Sequence, residues 1–108
     1  MIKELIDKTL DTLGIEYYYL ERPSDVFPCI VYNYNEYTNA TGDNEEESIK
    51  YDVYFNIITK TNLNLYTRLL RNVLKENEFI KSVINSPIKL EGTDYYQITF
   101  NYIKTIAL

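Results

Sequence analysis

Residues 49–58, IKYDVYFNII, alternate without a break, with Ile49, Tyr51, Val53, Phe55 and Ile57 set against Lys50, Asp52, Tyr54, Asn56 and Ile58. Successive side chains of an extended chain point to opposite faces, so this segment reads as a strand with one wholly apolar face. Such a strand needs neighbours in a sheet and a second layer over that face. The upstream stretch CIVYNYNEYT, residues 29–38, is a strand by the same rule, with Ile30, Tyr32 and Tyr34 on one face and Cys29, Val31 and Asn33 on the other. Between the two lies NATGDNEEE. Asn, Gly and Asp favour turns, and three consecutive glutamates cannot be buried unpaired. The pair reads as a long β-hairpin whose arm, about residues 37–50, ends in a charged tip with no core of its own.

Two amphipathic helices supply the covering layer. Ile2, Leu5, Ile6, Leu10 and Leu13 recur at helical spacing, and Gly14 is placed to stop that helix. In the second, Thr61 or Asn62 is the expected cap, and Tyr66, Leu69, Leu70, Val73 and Leu74 form the apolar stripe. Arg68, Arg71 and Lys75 lie off that stripe and face water or a partner. IEYYYL is a short strand, followed by a crossing loop in which Pro23 and Pro28 forbid helix. After ENEF the chain is extended again through VINSPIKLEG, turns at Glu91–Asp94, and closes with YYQITFNYIKTIAL, whose Tyr96, Ile98, Phe100 and Tyr102 point to the core. The expected fold is one α+β domain over residues 1–108 in the order α-β-β-β-α-β-β. Its sheet is mostly antiparallel, both helices pack on one face, and the hairpin protrudes. A chain of 108 residues buries roughly two-thirds of its unfolded surface, enough for one such core.

Parity then assigns the uncovered face. Val31, Tyr37, Tyr54, Ile58, Tyr95 and Ile103 fall there, mixed with Asn33, Asn35, Asn56, Gln97, Thr99 and Asn101. Large apolar groups in that number fit a partner surface, and equally the scattered surface aromatics that monomers tolerate. The 12 tyrosines, with 4 Phe and no Trp, carry the same ambiguity. Tyr is enriched at interfaces, but an AT-rich genome also favours it.

Charge is divided unevenly. Residues 1–52 hold 12 acidic and 4 basic side chains, a net −8, and residues 53–108 hold 4 and 7, a net +3. Such halves complement each other head to tail between subunits, or are simply solvated. The overall −5 argues against affinity built on nucleic-acid phosphates.

Catalytic chemistry finds little to work with. There is no His, the commonest general base and metal ligand, and 3 glycines leave no phosphate-cradling loop. Cys29, the single cysteine, excludes an internal disulfide and reads as a buried structural thiol. Asp43, Glu45, Glu46 and Glu47 do not follow the alternating ligand pattern of a calcium loop. A solvated hairpin tip, an electrostatic role in assembly and a metal site are its three readings, in that order. No catalytic residue, metal or cofactor is expected. Charges interrupt the N-terminal apolar residues, and no apolar run approaches the roughly 20 residues that span a membrane, so a soluble protein of a reducing cytoplasm is expected.

The succession of an amphipathic helix ending at Gly14, strand IEYYYL, a Pro-containing crossing into FPCIVYNYN, a long hairpin with Asp43-Asn44 near its tip, KYDVYFNIITK, a helix and a closing GTDYYQITFNYIKT resembles the tail terminator proteins of long-tailed bacteriophages and prophages, also called tail completion or head–tail joining proteins. The resemblance covers nearly the whole chain and rests on element order. It implies an α+β fold and a homo-oligomeric ring, usually a hexamer, at the head-proximal end of the tail tube. There the ring stops tube polymerisation, presents a surface to the head-connector or neck protein, and lets DNA pass without sequence-specific binding. It also implies assembly in the host bacterial cytoplasm and residence in the virion tail. By position, Tyr37–Lys50 corresponds to an arm reaching a neighbouring subunit or the tube. The glutamates then either line the lumen and repel DNA, or face outward and pair with Arg68, Arg71 and Lys75 of the next subunit. A neck or connector-adaptor protein, a monomeric regulatory domain binding through a sheet edge, and a single-strand nucleic-acid binder using tyrosine stacking are the competing functions. The interface residues expected are Tyr37, Asp43, Glu45, Glu46, Glu47, Tyr54, Ile58, Arg68, Arg71 and Lys75.

Overall fold

A computed structural model describes the backbone of residues 1–22, 26–42 and 45–108, with side chains described over the same residues except 39–42, 45 and 46. Helix α1 spans Ile2–Asp11 and strand β1 Glu16–Tyr19; the hairpin strands follow as β2, Cys29–Gly42, and β3, Glu45–Thr59. Helix α2 spans Leu63–Glu76, and β4 (Ile80–Ile84), β5 (Ile88–Lys89) and β6 (Tyr96–Ala107) complete the chain. The sheet order is β1-β2-β3-β6-β4, with β5 on the same side of β6 as a short extra pairing. Every pairing is antiparallel except β1 with β2. This is the expected α+β domain in the expected order. The one subdivision is in VINSPIKLEG, which holds the end of β4 and all of β5 rather than a single strand. Pro87 lies between them and has no N–H to give a ladder.

Both helices pack on one face, as the amphipathic patterns require. Ile2, Ile6 and Leu10 of α1 and Leu70, Val73 and Leu74 of α2 share one buried cluster with Ile30, Tyr32, Tyr51, Val53, Phe55, Ile57, Ile98, Phe100 and Tyr102 of the sheet. Tyr96, expected in that core, is only half-buried at the start of β6. Gly14 sits at φ +70°, a left-handed conformation that suits Gly, just past α1. At the start of α2, Asn62 occupies the N-cap position, but at φ 59° its side chain makes no capping bond. Thr59 closes the preceding turn instead: its Oγ1 donates to the Thr61 carbonyl at 2.8 Å and accepts from the Thr61 N–H at 3.3 Å.

Much of the tyrosine content is structural. Tyr32 is buried and donates its hydroxyl to Asp7 Oδ1 at 2.7 Å, tying the sheet to α1. Tyr17 donates to Asp11 on the same helix. Rings of Tyr34 and Tyr51 meet edge to face at 5.9 Å, and those of Phe55 and Tyr102 at 6.5 Å. Such contacts add to area burial and fix ring positions. Among the described residues, no helix is long and apolar enough to cross a membrane.

Candidate interaction surfaces: the hairpin end, the open sheet face and a basic cleft

The first surface begins where β6 ends. Strands β3 and β6 pair from Thr59↔Tyr96 to Ser48↔Ala107, and the Leu108 N–H adds a bond to the Glu47 carbonyl at 2.9 Å. Beyond that point β2 and β3 continue alone through Thr41↔Glu46 and Gly42↔Glu45. The expected arm is therefore two different things. Tyr37, Thr38 and Ser48–Lys50 belong to a ladder of three strands, and only the outer part is two-stranded. The long axis of the molecule is 53 Å against 25 and 22 Å for the others. Glu47 is exposed, and Tyr37 is 47% exposed with the Lys50 ammonium 5.8 Å from its ring centre. Asp43 lies outside the described residues, as do the side chains of Glu45 and Glu46.

The open face is not uniform. Its middle is a polar ladder in which Asn56 Oδ1 accepts from Thr99 Oγ1 at 2.7 Å and from Gln97 Nε2 at 3.2 Å, while Asn56 Nδ2 donates to the Val31 carbonyl at 3.3 Å. At the end away from the hairpin tip this face is covered. Ile58, expected as an exposed contact residue, is only 4% exposed, and Leu90, Glu91 and Thr93 of the loop before β6 close in near it. Cys29, opposite Ile58 in the ladder, is likewise buried, and burial raises its thiol pKa. Such a group is a poor nucleophile. Tyr54 stays half-buried between Asn33 and Asn101. Exposed apolar groups concentrate instead on the outer strand, where Ile80 is 67% and Val83 48% exposed. In the cross-strand register these two stand opposite Ile103 and Asn101 of the open face.

The third surface is a cleft of about 580 Å³ between α2 and β4. Arg68, Arg71 and Lys75 recur at i, i+3 and i+7 along one side of α2, and Lys81 of β4 faces them. Asn64, Thr67 and Asn72 add polar groups to the rim, and the buried rings of Phe79 and Tyr102 form the floor. No carboxylate lines the cleft among the described residues, and none there ion-pairs with its four cations. Like charges three and four residues apart on a helix each cost a few tenths of a kcal/mol, so this clustering is a liability until an anion meets it. Burial raises the Tyr102 phenol above its ordinary pKa, while hydrogen-bonded Arg71 pulls the other way. Lys104 anchors the end of the helix, donating to the Asn77 carbonyl at 2.9 Å and lying 5.4 Å from the Phe79 ring centre.

The described site residues named from sequence are thus spread over the three surfaces. Arg68, Arg71 and Lys75 come together in the cleft. The hairpin glutamates do not join them. Tyr102 on the cleft floor stands opposite Val53 in the ladder, and Glu46 is seven residues farther along β3, roughly 23 Å at 3.3 Å per residue. Lys81, Phe79 and Tyr102 escaped the sequence reading because β4–β6 pairing, a contact between distant segments, brings them in. The faint signal was Lys81, a cation two residues past an aromatic in an alternating segment. Comparison with protein-family models gives no match, and comparison with curated proteins gives none either.

Proposed function

We propose that the protein is a non-catalytic structural subunit that works by assembling with copies of itself, in the manner of a phage tail terminator. In this reading it closes into a ring, usually a hexamer, on the head-proximal end of a tail tube, ends tube growth and offers its outer surface to the head connector. DNA passes through the ring. One observation carries the reading: β2 and β3, at 14 and 15 residues the longest described strands, lead to an acidic stretch of the sequence, with Tyr37 and Glu47 exposed beside it. Charged residues in that number are costly to bury in a chain's own core, so a hairpin that carries them outward is suited to meeting a second surface. A neighbour-to-neighbour contact of unlike surfaces closes into a ring when the rotation allows.

Light scattering over a concentration series, with and without purified tail tubes, tests this. A species of 12.8 kDa that converts to a closed oligomer, or that binds tube ends, is the expected result. A species that stays at 12.8 kDa at every concentration and ignores tubes defeats the proposal.

A second reading has its own observation. β4 is the last strand of the sheet order, pairs on one side with β6 and exposes Ile80 and Val83. An unpaired edge of this kind accepts an added strand, so the alternative is a regulatory module that binds another protein by β-augmentation. Blocking it with a proline at Ser82 would abolish partner binding in that case and leave tube binding intact in the first.

A further inference from the structure

We infer that the basic cleft between α2 and β4 is the receptor for the acidic hairpin end of a second copy of this chain. The cleft gathers Arg68, Arg71, Lys75 and Lys81 with no carboxylate among its described lining, so its occupant is an anion. Its floor of Phe79 and Tyr102 gives that anion an apolar bed in which charge is less screened than on open surface. A nucleic acid is disfavoured as occupant, because a chain of net −5 with −8 in residues 1–52 repels a long polyanion. The chain itself carries a compact group of the required sign. Asp43, Glu45, Glu46 and Glu47 fall within five residues of the sequence, and Glu47, the one whose side chain is described, is exposed. That segment does not serve its own cleft, since Glu46 lies roughly 23 Å along β3 from the row that contains Tyr102. The occupant is therefore the hairpin of another copy. Donor and acceptor lie on different parts of the molecule, so the contact is head to tail and repeats from copy to copy until a ring closes. Among the two orientations open to the glutamates, this one turns them toward a neighbour.

The inference rests on self-assembly, not on tail capping, and the test separates the two. Two charge-reversed full-length chains are compared with the wild type by light scattering at about 50 and 500 mM salt. One carries Arg68→Glu, Arg71→Glu and Lys75→Glu; the other carries Glu45→Lys, Glu46→Lys and Glu47→Lys. Arg68, Arg71, Lys75 and Glu47 are exposed, and circular dichroism checks that each variant is folded. The wild type should assemble at low salt and loosen at high salt, because exposed charges are screened. Either reversed chain alone should need at least about 30-fold more protein to assemble, since like charges brought face to face oppose association. An equimolar mixture of the two should regain assembly at wild-type concentrations, which mere damage to folding would not produce. Reversed chains that assemble like the wild type overturn the docking while leaving self-assembly through another surface. A mixture that fails to recover overturns it too. A wild-type chain that remains at 12.8 kDa yet binds tube ends overturns the docking and leaves the capping proposal standing. Charge-dependent assembly without tube binding supports the docking and removes the capping.

Discussion

The two ends of the β2–β3 hairpin are made of the same strands and obey opposite requirements. At the base, Ile30, Val53, Phe55 and Ile57 are buried under both helices, and β6 holds β3 on its free edge. At the outer end the ladder narrows to two strands and the sequence turns to Asn, Gly, Asp and Glu. The base is where the buried cluster lies, and none of the described residues outboard of Ser48 belongs to it. Sequence alternation alone does not distinguish them, because both are extended. What distinguishes them is whether a third strand and a second layer are present.

The sharpest way to break this contrast is in the base. Phe55→Ala removes a fully buried ring that meets Phe79 and Tyr102, and should cost about 3–5 kcal/mol in denaturant unfolding. Its neighbour on the other face, Tyr54→Ala, should cost well under half of that; equal losses would mean that the open face is as covered as the helix face. Next comes Tyr32→Phe, which leaves the Asp7 carboxylate without its buried partner. About 1–3 kcal/mol is expected, checked by the same unfolding curves.

A smaller effect appears at high pH. Hydrogen bonding to Asp11, followed by burial, raises the Tyr17 phenol from 10.0 to about 12. The unfolded chain loses this proton first, so the associated stability is complete below pH 10.0 and disappears between there and about 12. Alkaline melting curves of Tyr17→Phe should therefore fall less steeply over that window. An unchanged slope would show that Tyr17 does not report on the α1 contact. The smallest change in stability is expected from the outer end. Replacing residues 40–47 by an Asn-Gly turn, a pair suited to tight hairpins, should shift the unfolding free energy by less than about 1 kcal/mol. The same change should abolish assembly measured by light scattering. A large loss of stability would move the outer end into the core account and erase the comparison.

How far the sequence carries follows from which contacts are local. The helices were legible because Ile2, Ile6 and Leu10, or Leu70, Val73 and Leu74, repeat at a period set by their own backbone. The core face of β3 was legible for the same reason. Burial of Ile58 was not, because it comes from the loop around Leu90 and Thr93, more than 30 residues away along the chain. The three arginine and lysine positions on α2 were visible as a stripe, but a cleft needs a second wall, and β4 provides it only through pairing with β6. Asn62 shows a different limit. Residue type favoured it as a cap, yet the turn at Thr59 sets its backbone left-handed and turns the side chain from that task.

One irregularity in the hairpin sets a rule for changes in its length. The register runs Thr38↔Ile49, then Ala40↔Ser48, then Thr41↔Glu46, so each strand contributes one extra residue and the two offsets cancel. Pairing outboard of them resumes the original index. Residues added or removed as a matched pair, one from each strand, leave every remaining partner opposite its old partner. Because side chains alternate along each strand, one such pair also turns the outer segment to the reverse face and a second pair restores it, whereas a single unmatched residue shifts every partner beyond it. Variation in arm length should accordingly be tolerated best in steps of two residues per strand.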